Sequence, residues 1–444
     1  MNTKKNSIMK QIKQALIVLL VLCFSSAIAQ QTPAPKQTKD IAIVGATAHI
    51  GNGDVIDNSI IIIKDGKLLT VADAGIVKIN ITNMETINAE GKHVYPGFIV
   101  PNTTLGLVEI DAVRATDDDA EIGTYKPHIR SLIAYNAESK VVESMRPNGV
   151  LIGQITPRGG TISGTSSIVQ FDAWNWEDAA IKVDDGIHVN WPNSFSRGRW
   201  WRGEDPGLKP NENYSKQVKE LQDYLDQSKA YNNGDKKITN LPFEALKGIF
   251  DGSKKLYVNV DDEKGITDVI NFKNKNGIKH MVIVGGYSAY KVADLLKQNN
   301  IPVLVQRLHK TPGNEDDDYD LPYKLAKLLV DKGVTVALES SGSMERMNAR
   351  NLPFLAGTAV AHGVTKEQAL QMITLNTAKI LGIDNQYGSL EEGKSATLFI
   401  SEGDALDMRT NVLTHAFIDG RDVSLESHQT KLWKRYSNKF KNQE

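Results

Sequence analysis

From Ile41 to Val94 short β-branched runs alternate with Gly, Asn and Asp, a texture of brief strands joined by tight turns. Ile60-Ile61-Ile62-Ile63-Lys64-Asp65-Gly66-Lys67 predicts a hairpin with Asp-Gly at its tip. The texture returns in Ala396-Thr397-Leu398-Phe399-Ile400, in Val412 to Ile418, and in Asp419-Gly420-Arg421 leading into Val423. Both ends therefore predict strands of one small β domain. Between them, Leu256 to Val260, Met281 to Val284, Ile301 to Val305 and Val334 to Leu338 predict strands. Thr267 to Asn276, Ala289 to Gln298 and Tyr323 to Asp331 predict the intervening helices. Such alternation predicts a parallel sheet covered by helices, and a barrel and an open sheet both fit the pattern. Residues 171–213, rich in Trp, Asn, Asp, Gly and Arg, break the rhythm and predict a long loop or insertion.

The N-terminus changes the picture of the mature chain. Lys4, Lys5, Lys10 and Lys13 precede an apolar run from Ala15 to Phe24, and Ala27-Ile28-Ala29 supplies small residues for cleavage, so residues 1–29 read as a signal peptide. The run is too short for a membrane anchor, which needs roughly 20 apolar residues. Leu22 precedes Cys23, where a lipoprotein would carry a small residue. The expected product is exported, periplasmic or extracellular in a bacterium, and not a lipoprotein. Cys23 is the only cysteine, so the mature chain is expected to lack disulfides, thiolate ligands and a cysteine nucleophile. Removing four lysines moves the formal net charge from −1 to −5. A mildly acidic chain with no transmembrane segment after cleavage gives no reason to invoke nucleic acid.

Three segments carry more specific information. Gly91-Lys92-His93-Val94-Tyr95-Pro96-Gly97-Phe98-Ile99 comes first. Asn351-Leu352-Pro353-Phe354-Leu355-Ala356-Gly357-Thr358-Ala359-Val360 follows, continued by Gly363 to Leu370 and Ile373 to Gly382. Gly388-Ser389-Leu390-Glu391-Glu392-Gly393-Lys394-Ser395-Ala396-Thr397-Leu398 is the third. In order and spacing they resemble the amidohydrolase superfamily, especially its imidazolonepropionase-like branch. The resemblance implies a (β/α)8 TIM-type barrel with a small β-sandwich domain formed by both termini. The expected layout is a linker at 30–40, sandwich at 41–95, barrel at 96–385 with its insertion near 171–213, sandwich again at 386–430, and a tail at 431–444.

Such proteins hydrolyse carbon-nitrogen bonds other than ordinary peptide bonds, using zinc or another divalent metal held by imidazoles and a carboxylate that takes a proton from metal-bound water. Here the His-x-His pair of the first strand falls on Asn102 and Thr104, the strand-five histidine on Asn259 and the strand-six histidine at Gly285. The catalytic aspartate falls on Ser341. Neutral amides and hydroxyls bind zinc poorly, and calcium or magnesium sites usually need several carboxylates, so no metal or other cofactor is expected.

What chemistry remains is sparse. His309 lies beyond the C-terminal end of a strand, and Glu339 ends the last recognised one, so the two could form a metal-free acid/base pair; a solvated loop histidine and a hydrogen-bonding loop carboxylate are the plainer readings. Ser163 and Ser166 lack the Gly-x-Ser-x-Gly spacing, and their glycine-rich run reads as a turn or anion-binding loop. Acidic runs at Asp117 to Glu121, Asp261 to Glu263 and Glu315 to Asp318 read as solvated loops. The insertion holds Trp174, Trp176, Trp191, Trp200 and Trp201, with Arg197, Arg199 and Arg202 beside the last pair. These suit either a recognition surface for a peptide-like ligand or a satellite core under a long loop. Two functions follow: a non-catalytic homologue that binds such a ligand or associates with a catalytic paralogue or another copy of itself, or an active hydrolase of peptide-like or cyclic amides with an atypical or metal-free site.

Overall fold

The computed structural model describes residues 32–205, 207–235 and 238–441, so the expected signal peptide lies outside the described residues. Strands β1 (Ile41–His49), β2 (Val55–Lys64), β3 (Lys67–Asp73), β4 (Glu85–Asn88) and β5 (His93–Pro96) open the fold. Then come β6 (Phe98–Thr103), β7 (Val150–Ile155), β8 (Ile162–Gln170), β9 (Ala180–Asn190), β10 (Phe195–Arg197) and β11 (Leu208–Pro210). After them run β12 (Lys255–Val260), β13 (Met281–Gly285), β14 (Val303–Val305), β15 (Val336–Leu338), β16 (Leu398–Ser401), β17 (Leu413–Ile418) and β18 (Arg421–Asp422).

Strands from the two chain ends share one sheet, in the order β18-β17-β16-β5-β1-β2-β3 with β4 beside β1. The join is made where β16 pairs antiparallel with β5. Its centre explains the four consecutive isoleucines. Side chains alternate across a strand, so Ile61 and Ile63 enter one apolar cluster while Ile60 and Ile62 enter another on the opposite face. The turn that follows has positive φ at both Asp65 and Gly66, the conformation a two-residue hairpin needs.

The second sheet runs β15-β14-β13-β12-β9-β8-β7-β6, parallel throughout except that β8 is antiparallel to both neighbours. This is a nearly closed TIM-type barrel. Ile99, Ile152, Ile168, Val282, Leu304 and Ala337, one from each of six strands, pack into one cluster with Ala378, Ile380 and Leu381. Those last three belong to the helix Leu375–Leu381, which thereby joins the edge strands β6 and β15.

Three segments differ from the sequence reading. The span 171–213 is not wholly an insertion, because β9 is a full barrel strand between β8 and β12. Its pattern is hidden because Asp185, Gly186 and His188 share its buried stretch with Ile187 and Val189. The glycine-rich run splits: Gly159 and Gly160 turn with positive φ, and the residues from Ile162 onward form β8, buried along its whole length. Residues within the expected tail form the helix His428–Lys441.

Candidate functional site

Parallel strands deliver their last residues to one end of a barrel, where loop variation builds binding and catalytic sites. Asn102 stands at that end of β6, Gln154 of β7, Asn259 of β12, Gly285 of β13 and Glu339 just beyond β15. Asn102 is fully buried with φ of 50°, a left-handed conformation that asparagine tolerates better than most residues. Its amide Nδ2 donates to Glu339 Oε2 at 3.3 Å, and its main-chain N–H donates to Gln154 Oε1 at 3.0 Å.

A cation sits against this asparagine. Arg158 donates from Nη1 to Asn102 Oδ1 at 2.7 Å and from Nη2 to the Asn102 carbonyl at 2.8 Å. The same Nη2 lies 3.2 Å from Glu345 Oε2. The other oxygen of Glu345 accepts from Thr103 Oγ1 and from the Thr104 N–H, both at 2.7 Å. Thr104 thus takes part through its backbone.

Below the guanidinium the network continues into the barrel. Gln154 Nε2 donates to Asp185 Oδ2 at 2.9 Å, as does the Tyr257 hydroxyl, while Ser166 Oγ donates to Asp185 Oδ1 at 2.7 Å. With its proton committed there, Ser166 Oγ accepts from His188 Nε2 at 2.9 Å. Burial and Arg158 hold the His188 imidazole well below its ordinary pKa, and its Nδ1 has no partner among the described residues. Serine, not histidine, is central, so the trio lacks the order of a nucleophilic triad.

Burial raises the carboxyl pKa of Asp185. It pushes Glu339 up to about 7, against hydrogen bonds from Ser341 that favour the ionised form. The Ser341 N–H donates to Glu339 Oε2 at 2.7 Å. Asp261, next along from β12, is also raised by burial and accepts from the Tyr287 N–H at 3.2 Å. Its carboxylate occupies the space beside Gly285: a Cβ placed on Gly285 would lie 2.6 Å from Asp261 Oδ1. A cavity of about 690 Å³ opens beside Asp261, lined also by Lys310, Tyr287, Phe195 and Leu208. The last two belong to the hairpin β10–β11. Burial lowers the Lys310 pKa, with Asp261 and Glu339 acting the other way.

A family model described as the amidohydrolase family matches residues 323–426. An imidazolonepropionase from Flavobacterium psychrophilum is 28% identical over 110 residues, covering 23% of this chain and 27% of that protein. Amidohydrolase tasK from Hapsidospora irregularis is 24% identical over 355 residues, covering 69% of this chain and 34% of that protein. The chain thus spans about a third or less of the length of these curated relatives. The crystal structure of an amidohydrolase from Thermotoga maritima MSB8 superposes with a TM-score of 0.75 at 23% identity, covering 86% of this chain and 99% of that one. Residues 323–426 thus match the amidohydrolase family, and the chain has the fold of an amidohydrolase of known structure.

Within this amidohydrolase fold the residues singled out from sequence are only partly brought together. Asn102 and Glu339 are hydrogen-bonded, and Ser341 joins them through its backbone. Asn259 donates to the Val189 carbonyl at 3.4 Å, and Gly285 has φ of 89°. His309 is not part of this network: its Nε2 lies 2.6 Å from Thr358 Oγ1, and no hydrogen bond joins it to Glu339 among the described residues. Trp200 and Trp201 are exposed, as are Arg197, Arg199 and Arg202. Arg197 reaches Asn314 Oδ1 at 3.2 Å, which ties the hairpin to the rim of the cavity. Trp191 instead is buried, its Nε1 donating to the Tyr214 hydroxyl at 3.0 Å.

Arg158, Glu345, Asp185, His188 and Asp261 were not legible as a site. Arg158 had one signal, a lone charge between an apolar strand and Gly159-Gly160. Among the described residues no three His, Cys, Asp or Glu side chains are grouped so as to hold a metal ion.

Proposed function

We propose that this chain is an exported amidohydrolase homologue whose barrel mouth binds a peptide-like ligand without metal-dependent hydrolysis, alone or beside a catalytic paralogue. One observation carries the reading. Asn102, the position assigned by resemblance to the first metal-ligating histidine, is held through both its side-chain and main-chain oxygens by the Arg158 guanidinium. Both oxygens of Asn102 are thereby taken by a guanidinium that is itself paired with Glu345, and Asn102, Thr104, Asn259 and Gly285 offer a metal no imidazole or carboxylate. These residues therefore do not fit a zinc-type centre. The cavity beside Asp261 and Lys310 presents both charge signs together with apolar Phe195 and Leu208, which suits a zwitterionic peptide. Elemental analysis of the purified chain after incubation with zinc, manganese and iron salts tests this. Well under one equivalent is expected, and one equivalent removed together with a hydrolytic activity would overturn it.

A second reading has its own observation. Glu339 is a buried carboxyl held at about 7, the range a general base needs near neutral pH. On that reading the chain hydrolyses peptide-like or cyclic amides without metal. Turnover of such a panel that persists in chelator and falls at least about 100-fold in Glu339→Gln would favour it over ligand binding alone.

A further inference from the structure

The helix His428–Lys441 is built the wrong way round for a helix that serves its own core. Surface helices turn their apolar stripe inward. At 3.6 residues per turn, Leu432, Trp433, Tyr436 and Phe440 fall within an arc of about 100°. All four are exposed, at 37%, 68%, 53% and 60%, and no residue of the helix is buried. Its ion pairs with the rest of the chain are made from the charged side: Lys431 Nζ lies 3.7 Å from Glu143 Oε1, and Lys434 Nζ lies 2.9 Å from Glu426 Oε1. The apolar arc therefore faces away from the barrel.

Composition says what would meet it. The segment contains Lys431, Lys434, Arg435, Lys439 and Lys441 and no acidic residue, in a chain whose overall balance is slightly acidic. Arg435 lies over the Tyr436 ring at 5.8 Å and Lys439 over the Phe440 ring at 5.7 Å, so cations flank the aromatic arc. Interfacial helices combine such an arc, carrying Trp, Phe or Leu, with a basic opposite side and low net hydrophobicity. An acidic protein partner would satisfy the lysines but not three exposed aromatics in a row, and a second copy would place like charges together. No described helix is long and apolar enough to cross a membrane.

We propose that the helix His428–Lys441 is an interfacial anchor that seats the chain on an anionic lipid surface, aromatics in the acyl boundary and lysines among the headgroups. The attachment is independent of what the barrel mouth does. It is tested on the chain from Gln30 onward, which contains the whole compact unit beginning at Ala34. Co-sedimentation is measured with phosphatidylcholine vesicles, and with vesicles in which about a third of the lipid is phosphatidylglycerol. Bound fraction is expected to rise at least about tenfold with the anionic lipid and to fall as salt is raised. The Trp433→Ser/Phe440→Ser chain, changed only at exposed positions, should lose that binding with an unaltered circular dichroism spectrum and thermal midpoint. Equal binding to neutral vesicles, no binding, or full binding by the double variant would each overturn the proposal. So would a dimer in the absence of lipid that the double variant dissolves, since the arc would then be covered by a second copy.

Discussion

The barrel has two interior layers with opposite physics. The lower one, Ile99, Ile152, Ile168, Val282, Leu304 and Ala337, is aliphatic and sealed by the helix Leu375–Leu381. The upper one, Asn102, Gln154, Ser166, Asp185, His188 and Glu339, is polar, buried and joined by hydrogen bonds. Tyr257 spans the boundary, its ring in the aliphatic cluster and its hydroxyl on Asp185. The lower layer is stabilised by removing apolar surface from water, which is indifferent to pH. The upper layer gains little net from each hydrogen bond, yet leaving any of its groups unpaired costs the full desolvation penalty. Stability and site chemistry are thereby separated by two or three residues along β6, β7 and β8.

That separation predicts different responses to perturbation. The largest belongs below: Ile152→Ala should cost about 2–5 kcal/mol, the transfer of the lost methyls plus the cavity they leave. Denaturant melts at pH 5 and pH 8 should give the same loss; a pH-dependent loss would mean the layers are not separate. Next comes Glu339. Its folded pKa is raised from 4.5 to about 7, so the folded state holds a proton that the unfolded state releases. Stability from this group is fully present below 4.5 and is lost as pH rises through about 7, a span worth on the order of 3 kcal/mol. Asp185 and Asp261, also raised, act with the same sign. The difference between the parent and Glu339→Gln across pH 4 to 8 isolates Glu339; parallel profiles would show that its carboxyl is not protonated in the fold.

The same division decides what could be read from sequence. The β domain and the strands from β12 to β15 were legible because burial there is apolar and periodic, as in the Ile60 to Ile63 run and in Met281 to Val284. Strand β9 was not, because its buried positions carry Asp185 and His188, whose burial is made tolerable by partners on β7, β8 and β12 that no local pattern reveals. Asn102 is singled out by motif position, and Glu339 by its place at the end of a strand. Arg158 and Glu345 lie 187 residues apart and were invisible as a pair, since only the closed barrel brings them to 3.2 Å. Asp261 read as a solvated acid beside Asp262, but Asp262 caps the helix Glu263–Asn276 while Asp261 turns inward against Gly285.

Removing Arg158 sharpens the comparison from above. Arg158→Ala leaves Glu345 and the Asn102 carbonyl without their charged donor, and should cost about 2–3 kcal/mol, less than a fully buried pair because a quarter of the arginine side chain is exposed. Arg158 also holds Glu339 down, so its loss should move the midpoint of the Glu339 titration to higher pH. Carboxyl resonances followed by NMR in parent and variant would show the shift; an unmoved midpoint would place the guanidinium outside the field of Glu339.

The smallest effect expected is the most local. Gly285→Ala brings a Cβ within 2.6 Å of Asp261 Oδ1 and keeps a φ of 89° that alanine resists. Together these should cost about 1–3 kcal/mol. The two causes can be parted with Asp261→Ala as the second change. If the carboxylate fills the place of a strand-six side chain, Gly285→Ala in that background should cost only the backbone part, about 1–2 kcal/mol, while a cost unchanged from the single variant would show the space beside Gly285 to be free of Asp261.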